Sequence, residues 1–264
     1  MLRVLLIVAV ALAIAFLVRQ RLRQRRVSTE APQRARREVL DGQVRLWRRL
    51  PADLKERLLP RLEEFLERIP FEGAHGFVVT DAMKTVIAAQ ACIVTLGHDE
   101  YPFEALHGIT VHPDEFLVEE TEEDEDTGVV TEGYRTLSGQ SQGDERIVLS
   151  WRDVEDGQSR DDGYNVVVHE ITHFLEHSHP GGDPAARAAL EAAHQALCDA
   201  VDRGEETLLD PYGAEDLTEF LAVAAEFFFE LPRELRARHP TLYVLLRDSF
   251  GLDPATWDEL APLH

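Results

Sequence analysis

Two histidines four residues apart, with a glutamate directly after the first, stand at 169–173 as His-Glu-Ile-Thr-His. Their apolar neighbours Val167, Val168, Ile171, Phe174 and Leu175 follow the 3.6-residue period of a helix, so His169 and His173 share one face. Two imidazoles so placed can chelate a tetrahedral Zn²⁺, and Glu170, roughly 100° round the helix, can take a proton from a water beside that ion. A pattern this short also suits two surface histidines of no special role. The metal reading therefore requires a third ligand.

Candidates lie on both sides. Extending the motif to HEITHFLEHSH puts His179 at the third histidine of a metzincin. Glu176, a good helix former, replaces the glycine that would turn the chain there, and the only methionines, Met1 and Met83, supply no later methionine turn. His177 and His179 before Pro-Gly-Gly also suit a helix end, where cations meet the carbonyl dipole. Further on, DLTEFLAVAAEFFFE at 216–230 carries Glu219 and Glu226 on one helix face. They are about 10 Å apart along the axis, too far for both to bind one ion. A carboxylate among Phe220, Leu221, Val223, Phe227 and Phe228 is costly unless a metal or hydrogen bond neutralises it. The bland roles are a capping box with Asp216 for Glu219, and for Glu226 an exposed position or a hydrogen bond to a ligating histidine.

The elements that must position these residues are legible from periodicity. A helix is expected over 51–70, with Leu54, Leu58, Leu62, Phe65, Leu66 and Ile69 at helical spacing, and a largely buried one over 82–96. GITVHP and RIVLSW read as strands, separated by an acidic loop, EETEEDED at 119–126. An Ala-rich helix follows over 184–203 and another over 217–230, closed by Pro232.

Charge divides the chain. Residues 1–38 hold nine Arg against two Glu, a formal +7, which leaves −29 on the other 226 residues out of a total of −22. So acidic a body repels phosphate backbones, and no nucleic-acid partner is expected. Val4 to Val18 is an unbroken run of fifteen apolar residues, about 22 Å as a helix, which Arg3 and Arg19 can extend across a bilayer by snorkelling. The run leads directly into RQRLRQRR rather than a small-residue cleavage site, so it reads as a retained anchor. Five Arg between 19 and 26 against one before the run orient the body to the cytoplasm. Two cysteines, Cys92 and Cys198, are too few to staple the domain and fit free thiols in a reducing compartment.

HEITHFLEH and DPYGAEDLTEFLAVAAEFFFELP, together with AAQACIVTLG at 88–97, HPDEF at 112–116 and IVLSWRDVEDG at 147–157 followed by DGYNVVVHE, resemble the zinc-dependent peptidase family of the bacterial Mlc titration factor, and more distantly the catalytic domain of anthrax lethal factor. The resemblance covers about 45–250. It implies an α+β, zincin-like metallopeptidase domain, mostly helical with a small sheet, to which the apolar run read above adds one N-terminal transmembrane helix. It also implies one Zn²⁺ per chain, Glu219 as third ligand in the manner of a gluzincin, and Tyr212, seven residues earlier, as an assistant in catalysis. Leu221 stands where a second Phe is usual. The expected organisation is an anchor at 1–19, a basic juxtamembrane linker at 20–40 and a catalytic domain at 41–264, cytoplasmic at a bacterial inner membrane. The expected partner is a peptide or protein substrate; the alternative is a tethered regulatory protein that sequesters a cytoplasmic partner such as a transcriptional repressor.

Overall fold

The computed structural model describes residues 32–123, 130–137, 139–142, 146–178 and 183–257. Helix α1 occupies 32–43, beginning inside the stretch read as linker, and its Leu40 is fully buried. It leads into α2 (Arg45–Arg49) and α3 (Ala52–Arg68). The last lays Leu58, Leu62 and Phe65 against the core and tolerates Pro60 within its length. Thr80 caps α4 (Asp81–Val94) by accepting from the Met83 N–H at 3.2 Å. From Thr85 to Val94 every residue of α4 is buried, as expected of a helix apolar on all sides.

Strands β1 (Phe71–Gly73), β2 (Gly108–His112) and β6 (Arg146–Ser150) run parallel, and β5 (Gly139–Gln142) adds antiparallel to β6, in the order β1-β2-β6-β5. The register aligns Ile109 with Ile147 and Val111 with Leu149, all four buried. A mostly helical α+β architecture with a small sheet is thus as the sequence predicts.

The acidic run departs from expectation. Residues 119–123 belong to β3 (Phe116–Glu123), which pairs antiparallel with β4 (Val130–Leu137) from Phe116↔Leu137 to Glu123↔Val130. Composition misled here: like charges argue for solvent, but a hairpin satisfies its backbone across the ladder whatever its side chains carry, and Val130, Thr131 and Thr136 favour strand on the returning side.

After α5 (Trp151–Ser159), Gly163 turns the chain into α6 (Val166–Ser178) at φ +92°, where a Cβ would lie 2.7 Å from the Phe227 ring. Helix α7 (Pro184–Asp202) starts on an Asp183 cap. Then α8 (Leu217–Glu230) runs through the core and packs on α6, followed by α9 (Pro232–Arg238) and α10 (Pro240–Phe250). Phe228 stacks on Phe250 at 5.5 Å and Phe229 meets it edge-on at 5.2 Å, which fixes the C-terminal helices on α8. Both cysteines are free. Among the described residues no helix is long and apolar enough to cross a membrane; the run from Val4 to Val18 lies outside them.

Candidate metal centre

Helices α6 and α8 bring the predicted residues together. Asn165 precedes the first turn of α6 and accepts from the Val168 N–H through Oδ1 at 3.2 Å, and the buried stripe of Val167, Val168, Ile171 and Phe174 turns His169 and His173 towards α8. On α8, Asp216 Oδ1 accepts from the N–H groups of Thr218 and Glu219 at 2.8 and 2.9 Å. The first turn of α8 is therefore capped by Asp216 alone. The Glu219 side chain leaves the cap and goes to the histidines: its Oε2 lies 3.0 Å from His169 Nε2 and 3.3 Å from His173 Nε2. The two Nε2 atoms are 3.0 Å apart.

Three atoms whose lone pairs converge at such distances form a donor set for a cation. With both imidazoles neutral and carrying their hydrogen on Nδ1, the two Nε2 atoms and the carboxylate oxygen present only lone pairs, which a divalent ion satisfies at once; without an ion, protons on the imidazoles must bridge them. Among the described residues, His169, His173 and Glu219 are the one His/Cys/Asp/Glu group of three or more close enough to hold a metal. Electrostatics agree. Burial opposes an imidazolium at His169, yet hydrogen bonds to Glu219 and Glu226 outweigh it and push the group up to about 10. Burial likewise opposes charge on Glu219, but its hydrogen bonds to His169 and His173 hold the carboxyl well below the usual range. The pocket favours positive charge, and its donors are those of zinc.

The two glutamates of α8 divide the ring of His169 between them. Glu226 Oε1 lies 2.7 Å from Nδ1, so the ring donates there and leaves the Nε2 lone pair for a metal. Glu226 thus lies on the far side of the His169 ring from the Nε2 cluster. Helical spacing keeps the two carboxylates from one point, and they meet opposite nitrogens of one ring instead.

Glu170 is 4 % exposed, and its Oε2 is buried without a hydrogen-bond partner. Burial, reinforced by the like charges of Glu219 and Glu226 against the pull of His169 and His173, pushes its carboxyl up to about 7. An orphaned carboxylate oxygen of this kind suits a proton acceptor waiting for water. Tyr212 sits on a 3₁₀ turn (Pro211–Ala214) capped by Asp210, with its ring centroid 6.1 Å from that of His169. His179 lies outside the described residues.

Residues that sequence reasoning missed lie behind His169: Asn165, Gln90 and Glu230, all buried. Gln90 and Asn165 lie in AAQACIVTLG and DGYNVVVHE, two of the stretches that carry the resemblance, and Glu230 stands four residues after Glu226, on the same face of α8, but no local pattern singles out any of the three.

A family model described as glucose-regulated metallo-peptidase M90 matches residues 18–251. A Synechocystis protein described as uncharacterized is 30% identical over 234 residues, covering 82% of this chain and 83% of its own. The Mlc titration factor A of Pectobacterium atrosepticum is 31% identical over 212 residues, 75% of this chain and 79% of its own. That of Serratia proteamaculans is 32% identical over 219 residues, 77% and 83% respectively.

Proposed function

Because the chain belongs to the glucose-regulated metallo-peptidase M90 family, we propose that it is a membrane-anchored, zincin-like peptidase of the gluzincin type, with Zn²⁺ held by His169, His173 and Glu219. The observation that supports this most is the convergence of His169 Nε2, His173 Nε2 and Glu219 Oε2 within 3.0–3.3 Å. When bound there, zinc supplies Lewis acidity, lowering the pKa of water towards about 7 and polarising a carbonyl.

The protein's own groups would do the rest. Glu170 accepts a proton at its carboxylate as water adds to the peptide carbonyl carbon, and returns it to the amine nitrogen as the C–N bond breaks. Glu226 holds the His169 ring through Nδ1, so that Nε2 keeps its lone pair for the metal. Tyr212 donates a hydrogen bond to the oxyanion or to the leaving amine. Unstructured peptides should be cleaved by the full-length protein, cleavage should stop on chelation, and Zn²⁺ should restore it. Cleavage that persists after complete metal removal would refute the reading.

The relatives' name, Mlc titration factor, supports a second reading, in which the domain sequesters a cytoplasmic regulatory partner such as a transcriptional repressor and hydrolysis is incidental. Partner binding that survives Glu170→Gln would favour it.

The apolar run and the arginines after it support an anchor at 1–19, a juxtamembrane segment at 20–40 and a catalytic domain at 41–264 on the cytoplasmic side of a bacterial inner membrane. The full-length chain should sediment with membranes, and its body should resist protease added outside intact cells. A form cleaved near 19–30 and recovered from the cell exterior would overturn this placement.

A further inference from the structure

The reaction above makes no use of the polar groups buried behind His169. Asn165 is 2 % exposed, and its carboxamide is committed at both ends. While Oδ1 caps α6, Nδ2 donates to Glu230 Oε1 at 2.6 Å and to Gln90 Oε1 at 2.8 Å. Flipping the amide would set its oxygen against two acceptor oxygens and its NH₂ against the Val168 N–H, so one orientation is enforced. The acceptors are themselves held. Glu230 Oε2 takes Arg45 Nη2 at 2.8 Å and Nε at 3.1 Å, and Gln90 Oε1 also takes Gln158 Nε2 at 2.9 Å.

Anchored in this way, the backbone N–H of Asn165 donates to Glu226 Oε2, while Oε1 of the same carboxylate holds His169 Nδ1. An unbroken chain of hydrogen bonds therefore runs from Arg45 on α2 through Glu230, Asn165 and Glu226 to the ring of His169. A buried ion pair such as Arg45–Glu230 gains little net stability over apolar packing, so stability alone is a poor account of it. Its geometric consequence is specific: it fixes a carboxylate that orients a ligand ring.

We propose that Asn165, clamped by Glu230 and Gln90, is a positioning residue for the metal centre, acting through Glu226 to aim His169 Nε2 at Glu219 and His173. The inference rests on reading His169 as a metal ligand.

Its test is the Zn²⁺ affinity of the full-length protein, read by competition with a chromogenic chelator. Asn165→Ser keeps a hydroxyl cap for α6 and loses both carboxamide donations. Its affinity should fall about tenfold or more, as for other groups that orient a ligand from behind. In the double variant with Glu226→Gln the loss should be smaller than the product of the single losses, because both act on one ring. Glu230→Gln, which retains an oxygen for Asn165 Nδ2, should bind zinc close to the parent, whereas Glu230→Ala should weaken with Asn165→Ser. Should Asn165→Ser fail to fold, the Glu230 pair carries the same comparison.

A merely structural Asn165 would lower the melting temperature and leave the affinity of the folded protein unmoved. That result, or losses that multiply fully with Glu226→Gln, overturns the positioning role while the metal centre stands. A parent protein that takes up no Zn²⁺ overturns both.

Discussion

Glu170→Gln should retain its metal and lose peptide hydrolysis by about a hundred- to ten-thousand-fold, the usual contribution of a general base. The substitution keeps the shape of the side chain, removes no ligand, and leaves an amide oxygen that cannot hold a proton at neutral pH. Loss of folding is not expected, and the electrostatics give the sign. A buried carboxyl raised to about 7 from its ordinary 4.5 takes up protons more readily when folded than when unfolded. Its charge therefore costs the metal-free protein stability as pH rises from the unfolded value through about 7, and the neutral amide avoids that cost. At pH 8 the metal-free variant should melt no lower than the parent, the signature of a residue kept for chemistry at the expense of stability. Turnover equal to the parent's would instead favour the sequestering role.

Glu219→Ala should produce the largest loss of metal affinity among the carboxylate variants. It removes an anionic donor from a three-residue set, whereas Glu226→Gln disturbs only the hydrogen bond on the far side of His169 and should cost about 10–100-fold. His179→Ala should leave affinity unchanged. The order reverses in a metzincin-like arrangement: His179→Ala would strip the metal, and Glu219→Ala would leave it bound. Equilibrium metal competition on the three purified variants decides between the two orders.

What the sequence made legible follows from where local rules govern. The helices carrying His169 and Glu219 were readable because apolar periodicity acts within a few residues, and on α8 the Asp216 cap and Pro232 mark both ends as well. The strand pair β2 and β6 was readable because each is a short run rich in β-branched and apolar residues, Ile109 to Val111 and Ile147 to Leu149, and β6 is buried from Ile147 to Ser150, as a parallel strand covered on both faces is. The hairpin β3–β4 was hidden by its acidic composition, since pairing depends on a partner that local charge does not reveal. At the site, spacing placed Glu219 and Glu226 on one face and excluded a shared ion, yet only the packing of α8 on α6 shows that they take opposite nitrogens of one ring. The Asn165 relay was illegible because its hydrogen bonds join residues 57–185 positions apart, and buried polar chains of that span have no periodic signature.

The central claim is that His169, His173 and Glu219 hold a zinc ion. Metal analysis joined to zinc X-ray absorption of the full-length protein tests it most directly. The account predicts one zinc per chain in a shell of nitrogen and oxygen alone, at about 2.0–2.2 Å, with two imidazoles rather than three. A protein that carries no metal and melts identically with and without chelator, or a shell containing three imidazoles or sulfur, would contradict it.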